Sequence, residues 1–323
     1  MDSETILSIK DLKVHYVLHD STVEAVNGVT MDIRRGETLG LAGETGAGKT
    51  TVALSILNLL PYPPARIMGG EVLLEGRDIL KMPDKEIRKV RGNKVSMIFQ
   101  DPMTALNPVD KVGDQIVEGI LLHEKISRSD AVKKACDIME EVGIPADRFD
   151  EYPLQFSGGM KQRIVIAMAL VCRPDLLIAD EPTTARDVTI QAQVLNMVEE
   201  IREQRGTSML LITHDLGILA EMCDRVAIMY AGEIVEMGTI EQIYDETKHP
   251  YTKGLFRAIP TLDTKSERLE PIPGLMPDPS NLPKGCSFCP RCNEKLPVCE
   301  TMRPISQDLG DGHLVSCHLF SRV

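Results

Sequence analysis

Apolar and polar positions alternate with a period of about two through the first 35 residues. Ile6-Leu7-Ser8-Ile9 and Leu12-Lys13-Val14-His15-Tyr16-Val17 are short, partly alternating runs, and Val29-Thr30-Met31-Asp32-Ile33 alternates again before the turn at Arg35-Gly36. These predict strands. A brief apolar strand over 38–42 leads into a glycine-rich loop, and residues 51–60 read as a helix stopped by Pro61-Tyr62-Pro63-Pro64. Residues 71–74 and 94–99 read as further strands. From 109 to about 172 the pattern is helical. Ser127-Arg128-Ser129-Asp130 supplies cap residues for a helix over 131–142, and Gly143 supplies its stop. Leu176-Leu177-Ile178-Ala179 is a continuous apolar run, as in a strand buried on both faces. Helix (190–204), strand (209–213), helix (216–221) and strand (226–230) then alternate. This is α/β grammar interrupted by a helical insertion. The composition changes near 260. Six prolines fall between Pro260 and Pro283 without periodicity, which predicts an extended arm.

Composition adds limits. With 43% hydrophobic and 26% charged residues over 323 positions, the chain is a globular mixture. A net charge of -12 disfavours broad nucleic-acid binding, which needs a basic surface. The longest apolar stretch, 164–172, is less than half of the ~20 residues that a spanning helix needs. The N-terminus Met1-Asp2-Ser3-Glu4-Thr5 lacks the basic start and apolar core of a signal peptide, so a cytoplasmic location is expected.

Candidate chemistry starts at Gly43-Glu44-Thr45-Gly46-Ala47-Gly48-Lys49-Thr50, which fits GxxxxGK(S/T) without a gap. Glycines let backbone N–H groups turn inward around phosphate oxygens. Lys49 brings a positive charge to the outer phosphates, Thr50 offers a hydroxyl to Mg2+, and the helix that follows adds its positive end. Asp180, at the end of the apolar strand, is placed to hold Mg2+ directly or through water. Glu181 beside it is placed to orient the attacking water for in-line attack on a γ-phosphate. A carboxylate at a strand end is commonly a solvated charge or a cap; Pro182-Thr183-Thr184 and the upstream loop outweigh that reading. His214, after Met209-Leu210-Leu211-Ile212-Thr213, is suited to donate to the γ-phosphate or to brace Glu181. Gln100, after Met97-Ile98-Phe99, is suited to sense both metal and water. Ser157-Gly158-Gly159-Met160 opens a helix over 161–172, either a second anion-binding helix start or a cap alone.

In this order the motifs resemble the ATP-binding subunit of an ATP-binding cassette (ABC) transporter over roughly residues 5–260. The resemblance implies a P-loop NTPase fold of the ABC ATPase type, with a β-rich N-terminal subdomain, a helical subdomain (about 101–173) inserted in the domain 1–260, and a small C-terminal extension (261–323). It makes 43–50 the Walker A loop, implying nucleotide contacts from Gly43, Glu44, Thr45, Gly46, Ala47, Gly48, Lys49, Thr50 and Thr51. Gln100 matches the Q-loop, Ser157-Gly158-Gly159-Met160 the signature, and 176–180 Walker B. Glu181 matches the catalytic carboxylate, Asp187 the D-loop aspartate and His214 the switch histidine. Tyr16 looks like the aromatic residue that stacks on adenine, or else a strand core residue. Mg2+ would be held by Thr50, Gln100 and Asp180. Two departures stand out: Met160 where many members have glutamine, and Arg186 where the family usually has leucine.

Narrower runs are similar to dipeptide/oligopeptide importers: Phe156 through Arg163, Ala179 through Thr184, Asp187 through Gln193, His249-Pro250-Tyr251-Thr252, and the tail from Leu282-Pro283-Lys284-Gly285-Cys286 onward. That resemblance implies an ATPase powering peptide import at the cytoplasmic face of the membrane. Its partners would be a second, head-to-tail ATP-binding subunit, two membrane permeases and an extracytoplasmic substrate-binding protein. Nickel or sugar import by the same machinery, a soluble non-transport ABC ATPase, and a regulatory module that binds without turnover are the alternatives.

Of eight cysteines, Cys136, Cys172 and Cys223 lie among apolar residues and read as core. Cys286, Cys289, Cys292, Cys299 and Cys317 crowd the last 40 residues, which in a cytosolic chain reads as metal binding before disulfides. Spacing alone singles out Cys286, Cys289 and Cys292 as a CxxCxxC run. The family resemblance implies Cys286, Cys292, Cys299 and Cys317 as ligands of a 4Fe-4S iron–sulfur cluster, with Cys289 an extra thiol. A tetrahedral zinc site is the rival, and a loose tail with free thiols the bland reading.

Overall fold

Strands read from the sequence as continuously apolar are buried along their whole length in the computed structural model, which describes residues 4–100, 104–182, 188–258 and 271–321, with backbone alone for 188–190. In chain order the strands are β1 (Thr5–Val17), β2 (Thr22–Arg34), β3 (Thr38–Ala42), β4 (Ala65–Leu74), β5 (Arg77–Asp78), β6 (Val95–Ile98), β7 (Leu176–Asp180), β8 (Ser208–Ile212), β9 (Arg225–Tyr230), β10 (Glu233–Thr239), β11 (Gln307–Asp308) and β12 (Leu314–Val315). The α-helices are α1 (Lys49–Ile56), α2 (Asp84–Val90), α3 (Val112–His123), α4 (Arg128–Glu141), α5 (Gly158–Leu170), α6 (Val188–Arg205), α7 (Leu216–Met222), α8 (Ile240–Tyr244) and α9 (Pro250–Arg257). Among the described residues no helix is long and apolar enough to cross a membrane.

The chain forms two compact units. The first comprises Met1–Ile6, Ile33–Glu37 and Lys81–Ile212. Its strands β6, β7 and β8 are parallel, with Ile98 opposite Ala179 and Asp180 opposite Ile212. Every residue of β7 and β8 is buried, so their unbroken apolar pattern follows from having both faces covered. The inserted helices α3, α4 and α5 pack on one another. Ser127 caps α4 by accepting from the Asp130 amide (3.1 Å), and Gly143 follows the helix at φ 76°.

The second unit comprises Leu7–Asp32, Thr38–Leu80 and Thr213–Val323. It holds an antiparallel sheet of order β2-β1-β4-β5 and the run β11-β12-β10-β9-β3. In that run β3 and β9 are parallel, and the other pairs are antiparallel. The two short strands expected at 6–9 and 12–17 are one strand, β1. The pairing with β4 slips between Lys10 and Lys13, and Asp11 stands at φ 48°. A bulge of this kind shifts the in–out alternation, which is why one strand reads as two. The C-terminal residues fasten to β10 through Glu236. This fully buried carboxylate accepts from the Lys248 amide (2.7 Å), the His249 amide (3.0 Å) and the His313 ring Nε2 (2.9 Å).

Candidate functional site

In the second unit, β3 delivers the chain to the glycine loop. Gly43 runs at φ 148°, and a Cβ there would stand 2.1 Å from the Met229 carbonyl oxygen. Gly48 runs at φ 104°, with the Ala25 carbonyl oxygen 2.3 Å from the Cβ position. Both backbone angle and space demand glycine at these two points. The loop closes on its own lysine. Lys49 is buried, and its Nζ donates to the carbonyls of Gly43 (2.8 Å) and Glu44 (3.1 Å). Thr50 and Thr51 lie in the first turn of α1, where backbone N–H groups lack helical partners. The Tyr16 hydroxyl is 3.2 Å from the Thr51 hydroxyl, so β1 sets a half-buried aromatic ring beside this helix start. Lysine, threonine hydroxyls and a loop with no room for a Cβ at Gly43 or Gly48 together fit a phosphate group with its Mg2+.

The Glu44 amide, expected among the phosphate-facing donors, donates instead to the Tyr251 hydroxyl (3.0 Å). The Glu44 carboxylate pairs with Arg291 Nη1 (2.9 Å). Neither partner stands out in the sequence. Tyr251 belongs to a run noted only as family-like, and Arg291 is overshadowed by its cysteine neighbours. His214 of this unit is exposed between Thr213 and Asp215. The Thr213 hydroxyl accepts from the Asp215 amide (3.0 Å), and Asp215 caps α7 by accepting from the Gly217 (2.8 Å) and Ile218 (3.4 Å) amides.

In the first unit, Asp180 ends β7 and is 1% exposed. Glu181 follows at φ 45°, a left-handed angle unusual for a side chain of its size, and its amide donates to the Ile212 carbonyl (2.9 Å). Its carboxylate accepts from Gln100 Nε2 (2.9 Å), so Gln100 and Glu181 are brought together as a pair. Gln162, buried in α5 and not picked out from sequence, donates its side-chain amide to the Pro182 carbonyl and ties α5 to the residue after Glu181. Ser157 caps α5, accepting from the Met160 amide (3.4 Å). Gly158 is exposed and Gly159 partly so, which leaves this helix start open. Met160 Sδ lies 3.3 Å from Arg148, whose guanidinium stacks 4.1 Å over the Phe156 ring. Asp187 and Arg186 lie outside the described residues.

All five C-terminal cysteines are free thiols. Burial pushes Cys286 up to about 12 and Cys317 up to about 11, and neighbouring thiols add to the rise in both. Burial likewise raises Cys289 and Cys292. Each of these four responds electrostatically to Cys299, so the tail does gather its sulfurs into one neighbourhood. Yet among the described residues no group of three or more His, Cys, Asp or Glu side chains could hold a metal ion. The expectation of a 4Fe-4S cluster on Cys286, Cys292, Cys299 and Cys317, and that of zinc, therefore receive no support from this arrangement. Ligation needs thiolates, and burial here favours the neutral thiol at Cys286, Cys289, Cys292 and Cys317.

Residues 26–184 match the ABC transporter family, and residues 235–299 match the oligopeptide/dipeptide transporter C-terminal region. The chain is similar to the dipeptide transport ATP-binding protein DppD of Bacillus subtilis (strain 168), with 48% identity across 98% of this chain and 95% of the relative. It is similar to the oligopeptide transport ATP-binding protein OppD of Escherichia coli (strain K12), with 43% identity across 98% and 93%. In fold it is similar to the ATP-binding cassette MJ0796, solved as a dimer in a post-hydrolysis state with ADP and Pi. That likeness has a TM-score of 0.65 at 23% identity, covering 72% of this chain and 98% of that one. It is also similar to cbiO1 from Clostridium perfringens, part of the ABC transporter complex cbiONQ, with a TM-score of 0.64 at 26% identity, covering 76% and 92%.

Proposed function

We propose a function from one premise: the chain belongs to the ABC transporter ATPases, in the group of dipeptide and oligopeptide transport ATP-binding proteins. It is the ATP-hydrolysing subunit of a peptide importer. The observation that carries this reading is the loop at 43–50, closed around Lys49 and with no room for a Cβ at Gly43 or Gly48, in a chain similar over 98% of its length to a peptide-transport ATPase. Nickel or sugar cargo, a soluble ATPase and a non-hydrolysing module are not favoured by those relatives.

The residue roles follow from chemistry. Lys49 and the loop amides bind the β- and γ-phosphates, and Tyr16 stacks on the adenine. Thr50, Gln100 and Asp180 would hold Mg2+, which neutralises phosphate charge when bound. Glu181, held by Gln100, orients and polarises the attacking water, and His214 steadies the γ-phosphate. The exposed start of α5 at Ser157-Gly158-Gly159, with Asp187, completes the ATP site of a second, head-to-tail subunit; the open cap at Ser157 supports this reading. Two permeases dock on the helical region 101–173, an extracytoplasmic binding protein delivers the peptide, and the ATPase sits peripherally on the cytoplasmic face. Residues 1–260 form the ATP-binding domain and 261–323 the extension. A 4Fe-4S cluster on Cys286, Cys292, Cys299 and Cys317 rests on the family resemblance alone. Iron content and visible absorbance of anaerobically purified protein test it.

The experiment on function is paired. E181Q should abolish ATP hydrolysis while ATP binding is kept, and cells lacking this chain should lose uptake of labelled dipeptides. Unchanged hydrolysis removes Glu181 from its role; unchanged uptake removes peptide import.

A further inference from the structure

The C-terminal extension reaches the phosphate loop, chiefly at Glu44. Glu44 is held at each of its polar groups. Its carbonyl takes Lys49 Nζ (3.1 Å) and the Ala47 amide (3.1 Å). Its amide donates to the fully buried Tyr251 hydroxyl (3.0 Å). Its carboxylate takes Arg291 Nη1 (2.9 Å). The Arg291 side chain is only 6% exposed and makes three further contacts: the same Nη1 meets the Tyr230 hydroxyl (3.3 Å), Nε donates to the Pro273 carbonyl (2.9 Å), and Nη2 to the Ile272 carbonyl (3.4 Å). Tyr230, Tyr251 and Phe288 form a ring cluster beside it, with centroids 4.6 and 5.3 Å from that of Tyr230. The Met276 methyl lies 3.0 Å from where a Cβ on Gly46 would be, so the extension touches the loop a second time. The guanidinium is carried by the short turn Cys289–Arg291, which also carries one of the clustered thiols.

A planar guanidinium with several fixed acceptors is a rigid mount, unlike a solvated surface pair. A buried ion pair contributes little net stability, but it fixes geometry, and removing one partner strands the other. The fixed object here is the residue whose carbonyl holds Lys49. We propose that Arg291 is a positioning residue for ATP: through Glu44 it sets the shape of the phosphate loop, so the C-terminal extension governs the affinity of the nucleotide site. The proposal rests on the reading of 43–50 as that site.

The test uses the full chain and a fluorescent ATP analogue with Mg2+, alongside steady-state hydrolysis and thermal melting without nucleotide. R291Q should weaken analogue binding and raise KM for ATP by about tenfold, with kcat at saturating ATP retained. E44Q and the double variant E44Q/R291Q should show the same loss as R291Q, because the two side chains act as one unit. R291K should recover only part, since an ammonium cannot reproduce the fork. Y251F should weaken binding in the same direction and serves if R291Q does not fold. A lower melting temperature with unchanged affinity and KM would overturn the proposal and leave Arg291 as an anchor of the extension. Additive losses in the double variant would overturn it too. K49A separates the two claims. If the unsubstituted chain binds the analogue no better than K49A, the nucleotide-site reading itself fails.

Discussion

At Gly48 the backbone angle of 104° and the 2.3 Å gap to the Ala25 carbonyl leave no place for a methyl group. G48A must move the loop or β2, at a strain of about 1–3 kcal/mol. The expected result is a cooperative but lower melt and loss of ATP-analogue binding; retained binding would mean that the loop has slack. Glu181 poses the complementary case, because its φ of 45° puts a large side chain where glycine is at ease. Its Gln100 partner and the chemistry proposed for it account for keeping a carboxylate there. E181G and E181A both lose that carboxylate, so their difference isolates the backbone. E181G should be the more stable by about 0.5–1 kcal/mol in urea unfolding. Equal stabilities would show that the angle carries no strain.

Among elements, α5 has the most to hold, since it opens at Ser157 and reaches Pro182 through Gln162. Q162M keeps the side-chain length and removes the donor. It leaves a carbonyl unsatisfied beside Glu181, a cost of about 1–3 kcal/mol. Hydrolysis should lose kcat with little change in KM, as steady-state kinetics would read. A change in KM alone would mean that α5 does not act through Glu181. Helix α4 and strand β7 were legible because each has a local signature: Ser127 before α4, Gly143 after it, the four apolar residues of β7. What was not legible depended on partners distant in sequence. β1 reads as two strands because a bulge against β4 breaks its alternation near Asp11. Gln162 looks like any polar helix residue until Pro182 is placed against it.

At the scale of the molecule, the motifs proposed here for ATP hydrolysis can be read off the sequence in order, while the contacts that hold them cannot. Lys49, Asp180, Glu181 and His214 announce themselves by spacing; Tyr251 and Arg291, more than 200 residues from the loop they hold, have no local pattern to betray them. The same region makes folding stability depend on pH. His249 is 1% exposed, and burial, with Lys253 nearby, lowers its pKa to about 3. Its backbone N–H donates to Glu236, its Nδ1 accepts from the Tyr251 amide (3.1 Å), and its ring lies 5.8 Å from that of Phe288. Nδ1 is thus an acceptor, and the neutral ring carries its proton on Nε2. The sign follows from linkage. As pH falls below about 6.5 the unfolded chain takes up a proton on this ring, whereas the folded chain resists until about pH 3. The contribution is complete above the unfolded value and is lost across that window, about 2 kcal/mol of it by pH 5. H249N retains a helix-capping side chain before Pro250 and does not titrate. Between pH 7 and 5, urea unfolding of the unsubstituted chain should therefore lose about 2 kcal/mol more than H249N. Parallel curves would mean that the folded protein accepts the proton on His249 and that the buried network around Glu236 tolerates a charged ring.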